Sequence, residues 1–221
     1  GQQQPPRSRS IPVWTVLLTL VAASLFGSLG IWQLGRAGEK RAIFAAYALG
    51  TTGALQEGLG GANAGEQRYQ LLRLQGHYDA GRQVLLDNMS HAGRSGYQVL
   101  TPFITAGGSV LVNRGWVPAS GDRGRLPDIE VSDQLRLLTG RIDRLPRPAL
   151  RLAADAAVSA APWPRRLLFP TVAEISTQTG YALRDFQLLL NPDEPDGFLR
   201  EWKPASGAPR RATVETKNLA S

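Results

Sequence analysis

The sequence predicts a membrane-anchored β-rich (α+β) domain: one N-terminal transmembrane helix, then a mostly antiparallel β domain carrying a short helix. Three observations predict it. No charged residue occurs from Ile11 to Gly35. From Arg68 onward, short β-like runs alternate with turn signals. Between two of these runs, one stretch carries the start and stop signals of a helix. A chain of 221 residues has the length of one domain with an appendage. The expected plan is a tail at 1–10, a transmembrane helix at 11–35, a helix extension and Gly-rich linker at 36–67, a β-rich domain at 68–204 and a tail at 205–221.

The run from Ile11 to Leu34 is 24 residues, roughly 36 Å as a helix at about 1.5 Å per residue. That exceeds the hydrocarbon thickness of about 30 Å, so the segment spans with some tilt. A signal peptide has a shorter apolar stretch and a small-x-small cleavage site. This run ends in Trp32-Gln33-Leu34 instead. Pro12 sits in the first turn, where its missing N–H is harmless. Trp14 and Trp32 lie near opposite ends, as interfacial anchors do. Ala23, Ser24, Gly27 and Ser28 form overlapping small-xxx-small pairs, with Gly30 on the same side. Two readings stay open there: close approach of a second helix, or the ordinary composition of membrane helices. Arg7 and Arg9 precede the span; Arg36, Lys40 and Arg41 follow it, with Glu39 among them. That balance does not choose an orientation.

After the span, EKRAIFAAYAL extends the helix to about Leu49. Gly50 to Gln67 is rich in small residues and reads as a linker or loop. In LLRLQGHYD, Leu72, Leu74, Gly76 and Tyr78 share one face, and Arg73, Gln75, His77 and Asp79 the other. That alternation is a half-buried strand. Strands follow at Gln83–Asn88, at Gly96–Ile104 and Ser109–Val117 joined as a hairpin by TAGG, at Gln134–Ile142 and at Asp185–Leu190. In TVAEISTQTG, Thr171 and Glu174 form a capping box and Gly180 ends the helix. PALRLAADAAVSAAPWPRR is a long loop or a broken helix.

Composition removes several chemistries. Cysteine is absent, which excludes disulfides, thiol nucleophiles and thiolate metal sites. His77 and His91 are the two histidines, too few for a multi-histidine metal site. The formal charge is +7, and the 25 basic residues are arginine except Lys40, Lys203 and Lys217. They are scattered and lack a nucleic-acid-binding motif, so they read as a solvated surface rather than a nucleic-acid interface. No GxSxG elbow and no P-loop occur. His77 lies on a polar strand face and His91 in a Gly-rich turn, as solvated histidines do. Asp193, Glu194 and Asp196 in NPDEPDG read as a turn rather than a calcium loop. No enzyme is expected. Arg114-Gly115-Trp116 stands out, as a permanent cation beside an indole. The trio can bind a carboxylate, or hold a strand end by stacking.

At these residues the sequence resembles the surfeit locus protein 1 family, the assembly factors of cytochrome c oxidase, and most closely its proteobacterial members. LGIWQLGRAGEK, RLQGHYD, GYQVLTPF, LVNRGWVP and LLLNPDEPDGFLREWKP are similar to the family's motifs, in order along nearly the whole chain. The resemblance implies a bacterial cytoplasmic (inner) membrane protein with its N-terminal tail cytoplasmic and its β domain periplasmic. It implies a chaperone-like role in maturing subunit I of a haem–copper oxidase, at or near haem a insertion. The implied partners are subunit I, other oxidase subunits and the lipid bilayer, with no nucleic acid. The family pattern continues into a histidine and a second apolar helix, whereas this chain ends in PRRATVETKNLAS with no histidine after His91. Haem a is the one cofactor the resemblance implies, but the expected histidine is absent, so a haem-ligating role does not carry over and no cofactor-binding residue is assigned.

The motif positions are Gly30, Trp32, Gln33 and Arg36 at the membrane edge, and Gly76, Gly96, Tyr97, Thr101, Pro102, Asn113, Arg114, Gly115, Trp116 and Pro118 in the domain. With Ala23 and Gly27 on the helix face, the partner-binding candidates are Ala23, Gly27, Gly30, Trp32, Gln33, Arg36, Gly76, Tyr97, Pro102, Asn113, Arg114, Gly115 and Trp116. Arg36 and Arg114 are expected to meet haem propionates or acidic loops. The alternative is a membrane-anchored envelope protein, or an accessory oxidase subunit, with a structural binding role and no haem handling.

Overall fold

The computed structural model describes residues 12–65, 67–122, 124–146 and 162–202. The expected tails at 1–10 and 205–221, and most of the expected loop or broken helix after Pro146, lie outside the described residues. The chain divides into two compact units, Gly1–Phe44 and Ala45–Ser221.

Helix α1 runs Val13–Thr52, three residues beyond the expected end at Leu49. It starts where the Pro12 carbonyl accepts from Thr15 N–H at 3.0 Å, a position at which proline's missing donor is not needed. Its part from Val13 to Gly35 is long and apolar enough to cross a membrane. Side chains along it, from Trp14 through Leu25 to Leu34, are exposed. Three hydroxyls bond back to carbonyls one turn earlier: Thr19 to Thr15 at 2.8 Å, Ser24 to Leu20 at 2.9 Å and Ser28 to Ser24 at 2.9 Å. Each donor is thereby satisfied without water, as hydrocarbon requires.

The second unit is built on strands β1 (Gln56–Glu57), β2 (Leu71–Tyr78), β3 (Val84–His91), β4 (Arg94–Thr105), β5 (Gly108–Pro118), β6 (Arg136–Asp143), β7 (Arg165–Leu167) and β8 (Leu183–Leu190), with helix α2 (Val172–Thr179) before β8. They form one sheet in the order β1-β2-β6-β8-β5-β4-β3-β7, and β2 also pairs with β4. That extra pairing closes β2, β6, β8, β5 and β4 into a small barrel. Pairing is mostly antiparallel; β1–β2, β3–β7 and β5–β8 are parallel. Strand β2 makes the closure by dividing its length. Leu71–Gly76 pair with β6, and Gly76–Tyr78 pair with β4.

Leu72, Leu74, Gly76 and Tyr78 all point inward, as the alternation requires. Tyr78 meets Phe103 edge-on at 5.1 Å between ring centroids. Val110, Val112, Leu138, Ile142, Phe186, Leu188 and Leu190 complete the interior. Burying each such side chain contributes roughly 1.5–3 kcal/mol. Leu59, Ala62 and Ala64 belong to the same core. Within Gly50–Gln67, which the sequence reads as a linker or loop, these three residues pack against the barrel interior. Two further clusters lie outside. Val172 and Ile175 of α2 pack with Val84, Leu86, Leu100 and Leu111. Leu85, Tyr97, Val99 and Val117 are covered by Ile129 of the segment before β6. Helix α2 has the expected ends: Thr171 and Glu174 exchange both capping-box bonds, and Gly180 adopts φ +76°. Strands β1 and β7 are too short to leave a periodic signal.

Gly76 sits where β2 turns from one partner to the other. A Cβ there would overlap the Ile104 carbonyl and press on the Phe103 ring. Gly76→Val is expected to lower stability by about 3 kcal/mol or more, because neither neighbour has room to give. Urea unfolding of the full chain in detergent checks this. Thr171→Ala, which removes only the cap, should cost about 1 kcal/mol in the same assay.

Candidate functional site

Strand β5 loses its β8 neighbour after Asn113, where the β8 pairing ends. The free edge is taken by the chain's own return. Phe198 N–H donates to the Arg114 carbonyl at 2.7 Å, and Trp116 N–H donates to the Leu199 carbonyl at 2.8 Å. Gly115 makes the close approach possible. It holds φ +113°, and a Cβ there would lie 2.8 Å from the Leu199 carbonyl.

The Arg114 side chain points into this junction and is only 1% exposed. Its Nε donates to the Asp196 carbonyl at 2.7 Å. Nη1 donates to Gln83 Oε1 at 2.9 Å and to the Ile129 carbonyl at 2.9 Å. Nη2 donates to the Glu130 carbonyl at 3.1 Å. The Phe198 ring lies 4.9 Å from the guanidinium and the Tyr78 ring 5.7 Å. A buried cation is thus held by carbonyl dipoles and aromatic faces rather than by a carboxylate. Burial lowers its pKa to about 10, with Arg136 and Arg200 adding to the lowering and Tyr78 opposing it.

Around it, the segment after β8 is fixed at several points. Asp196 forms an ion pair with Arg136. Arg200 Nη1 donates to the Asn191 and Glu194 carbonyls at 2.6 and 2.8 Å. Glu194 Oε1 accepts from Thr139 N–H at 2.7 Å. Trp202 Nε1 donates to the Leu190 carbonyl at 2.7 Å. NPDEPDG is therefore a turn, as expected, with Asp196 paired to Arg136 and with Asp193 and Glu194 near Arg200. Burial also raises the Tyr78 phenol to about 12, with Arg114 and Arg136 pulling the other way.

The motif residues of the domain converge here, but inward. Asn113 Nδ2 donates to Gln98 Oε1 at 3.0 Å and Gln187 Oε1 at 2.9 Å, and its Oδ1 accepts from Gly115 N–H at 3.1 Å. Thr101 Oγ1 donates to Gln83 Oε1 at 2.8 Å. The Pro102 carbonyl accepts from Asp79 N–H at 2.9 Å. Tyr97 is buried. Gly96 lies under the Trp116 ring and pairs with Pro118. Trp116 Nε1 donates to the Met89 carbonyl at 2.8 Å, with the His91 ring 5.3 Å away. Arg114 thus meets carbonyls of its own chain, not an external acid, and the stacking alternative describes its surroundings. Ala23, Gly27, Gly30, Trp32, Gln33 and Arg36 lie on α1; the Arg36 side chain lies outside the described residues. Sequence reasoning missed Gln83, Gln187, Arg136 and Arg200. The first two are polar residues interrupting buried strand runs, which is the signal that marks an internal network.

Among the described residues, no group of three His, Cys, Asp or Glu side chains is placed to hold a metal ion. A haem fits poorly. Among the described residues, a groove of about 1000 Å³ is lined by neither histidine. His77 is exposed beside Asp79 and Arg82 in a polar trench, and His91 packs on Trp116. What the site does is hold: it fixes the residues 191–200 and the strap around Ile129 to the end of the barrel.

The model of the SURF1 family matches residues 20–219, nearly the whole chain. No curated protein matches it.

Arg114→Leu strands three carbonyls and Gln83, and is expected to cost on the order of 3 kcal/mol. Limited proteolysis with mass mapping should show new cleavage at 126–131 and 191–200 while β2 and β6 stay protected. The Tyr78 pKa of about 12 lies above its ordinary 10.0. The folded state then keeps a proton that the unfolded state releases, so this contribution is complete below pH 10.0 and is lost as the pH climbs toward 12. Arg114, lowered by burial from its ordinary value to about 10, acts in the opposite sense at alkaline pH. Tyr78→Phe should therefore flatten the alkaline loss of stability, measured by thermal unfolding from neutral to strongly alkaline pH.

Proposed function

The chain belongs to the SURF1 family, a family of cytochrome oxidase assembly factors, and from that premise we propose that it is an accessory or assembly factor of a haem–copper cytochrome c oxidase. It acts as a scaffold for subunit I maturation at or near haem a insertion. The family match across residues 20–219 is the observation that carries this reading. In this proposal α1 crosses the bacterial cytoplasmic membrane, the tail before it is cytoplasmic, and the barrel lies on the periplasmic side. The chain binds and positions rather than catalyses.

The small-residue face of α1 is the proposed contact within the membrane. Ala23, Gly27 and Gly30 recur at helical spacing on one side. A Cβ at Gly27 or at Gly30 would meet nothing within 4 Å. The chain's own packing therefore does not require these glycines, although each costs helix stability. Close approach of a partner helix gives them a reason. A structural subunit without haem handling is the second reading, and the poor placement of His77 and His91 favours it.

The test is a mild-detergent pull-down of the tagged full chain, with subunit identification and a haem absorbance spectrum. Oxidase subunits with a haem signal support assembly at haem insertion; oxidase subunits retained equally from haem-depleted cells support the structural reading. A pull-down without haem–copper subunits defeats both. Gly27→Leu is expected to reduce recovery of oxidase subunits by about tenfold, a change of roughly 1.4 kcal/mol, with the barrel's unfolding midpoint unchanged.

A further inference from the structure

A groove on the domain lies away from the Arg114 junction. Its volume is about 1000 Å³, at the upper end for binding sites. The start of α2, the end of β6, β8 and the loop Asn63–Gly65 enclose it. Its apolar lining is Leu145, Phe169, Pro170, Val172 and Phe186. Phe169 holds φ +47°, which bulky side chains rarely adopt. Such a conformation costs about 1–3 kcal/mol and persists only where neighbours impose it. It leaves the Phe169 ring half-buried on the groove wall rather than in the core.

Arg144 and Arg184 also line the groove. Among the described residues the Arg144 guanidinium has no partner, and that of Arg184 reaches only the Gly107 carbonyl, at 3.5 Å. Asp185 is the one carboxylate lining it, and it is exposed. Elsewhere on this unit several arginines pair with carboxylates: Arg68 with Asp143, Arg73 with Glu57 and Arg82 with Asp79. Two guanidiniums without a carboxylate partner among the described residues, beside an apolar floor, form a pattern complementary to carboxylates flanking an apolar side chain.

We infer that this groove docks an acidic protein segment with an apolar anchor, the anchor resting against Phe169 and Val172 and its flanking carboxylates meeting Arg144 and Arg184. Only the source of that segment, a subunit of the oxidase being assembled, rests on the assembly reading above.

The probe is a fluorescently labelled Asp-Glu-Leu-Phe-Glu-Asp peptide, with anisotropy read against the full chain in neutral detergent micelles. Saturable binding is expected. The double variant Arg144→Glu, Arg184→Glu should weaken it by about tenfold or more. Arg144→Lys with Arg184→Lys should retain most of it. Ala173→Trp, an exposed position on the groove rim, should weaken it with both arginines in place. Circular dichroism confirms that each variant folds. The inference falls if no saturable binding occurs, if the Glu variant binds equally, or if a peptide with Ser-Ser for Leu-Phe binds equally. It also falls if anionic phosphatidylglycerol vesicles, but not the peptide, discriminate the Glu variant from the native chain, which would assign the arginines to lipid. No oxidase is present in this assay. A failed pull-down with intact peptide binding refutes the assembly reading alone, and the converse refutes the groove alone.

Discussion

A single buried guanidinium ties the end of the barrel together. Arg114 is reached by three carbonyls from two stretches of chain, Ile129 and Glu130 on one side and Asp196 on the other. Neither stretch is a strand, and neither has a periodic apolar face to bring it down on the sheet. Their main-chain acceptors would have no donor if the arginine were removed, and the arginine would be an uncompensated charge if they moved away. The dependence is mutual, which makes the junction all-or-none. A lysine would not do the same: its ammonium lacks the planar fork that serves acceptors in several directions.

The same economy governs the barrel. Five strands enclose a space just filled by side chains, so closure depends on places where backbone must come close to backbone. Gly76 supplies one, where β2 exchanges β6 for β4. Gly115 supplies another, where the returning chain covers the β5 edge that β8 leaves open. An open strand edge is a template for unwanted pairing. Here the chain's own residues Phe198 and Leu199 occupy it, and Arg114 and Arg200 keep them there.

Much of this was legible in the sequence because it follows from local rules. The uncharged run gives α1, the alternation in LLRLQGHYD gives the inward face of β2, and Thr171 with Glu174 gives the start of α2. What could not be read depends on contacts between distant residues. Nothing in Gln56-Glu57 signals a strand until β2 lies beside it. The small residues after α1 look like a linker because alanine and leucine at irregular spacing carry no period, yet Leu59, Ala62 and Ala64 fill the barrel. Arg114 reads either as an acid-binding cation or as a residue holding a strand end; its burial is decided by carbonyls that are far away in the sequence.

That last difference bears on where function resides. The motif residues of the domain, from Gly76 to Trp116, are taken up in closing and pinning the barrel. Asn113, Arg114 and Tyr97 are buried, and the polar atoms of the first two are already bonded within the chain. Such residues are constrained by folding alone, so their presence identifies the scaffold without identifying its contact surface. Surfaces free to bind are those whose features the fold does not use. A Cβ at Gly27 or Gly30 would meet nothing within 4 Å, Phe169 on a groove wall holds a costly backbone angle, and Arg144 and Arg184 beside it pair with no carboxylate among the described residues. In the proposals above, a partner would supply the reason for each. The recognisable part of this protein is therefore its frame, and the proposed contact features are too sparse to form a motif.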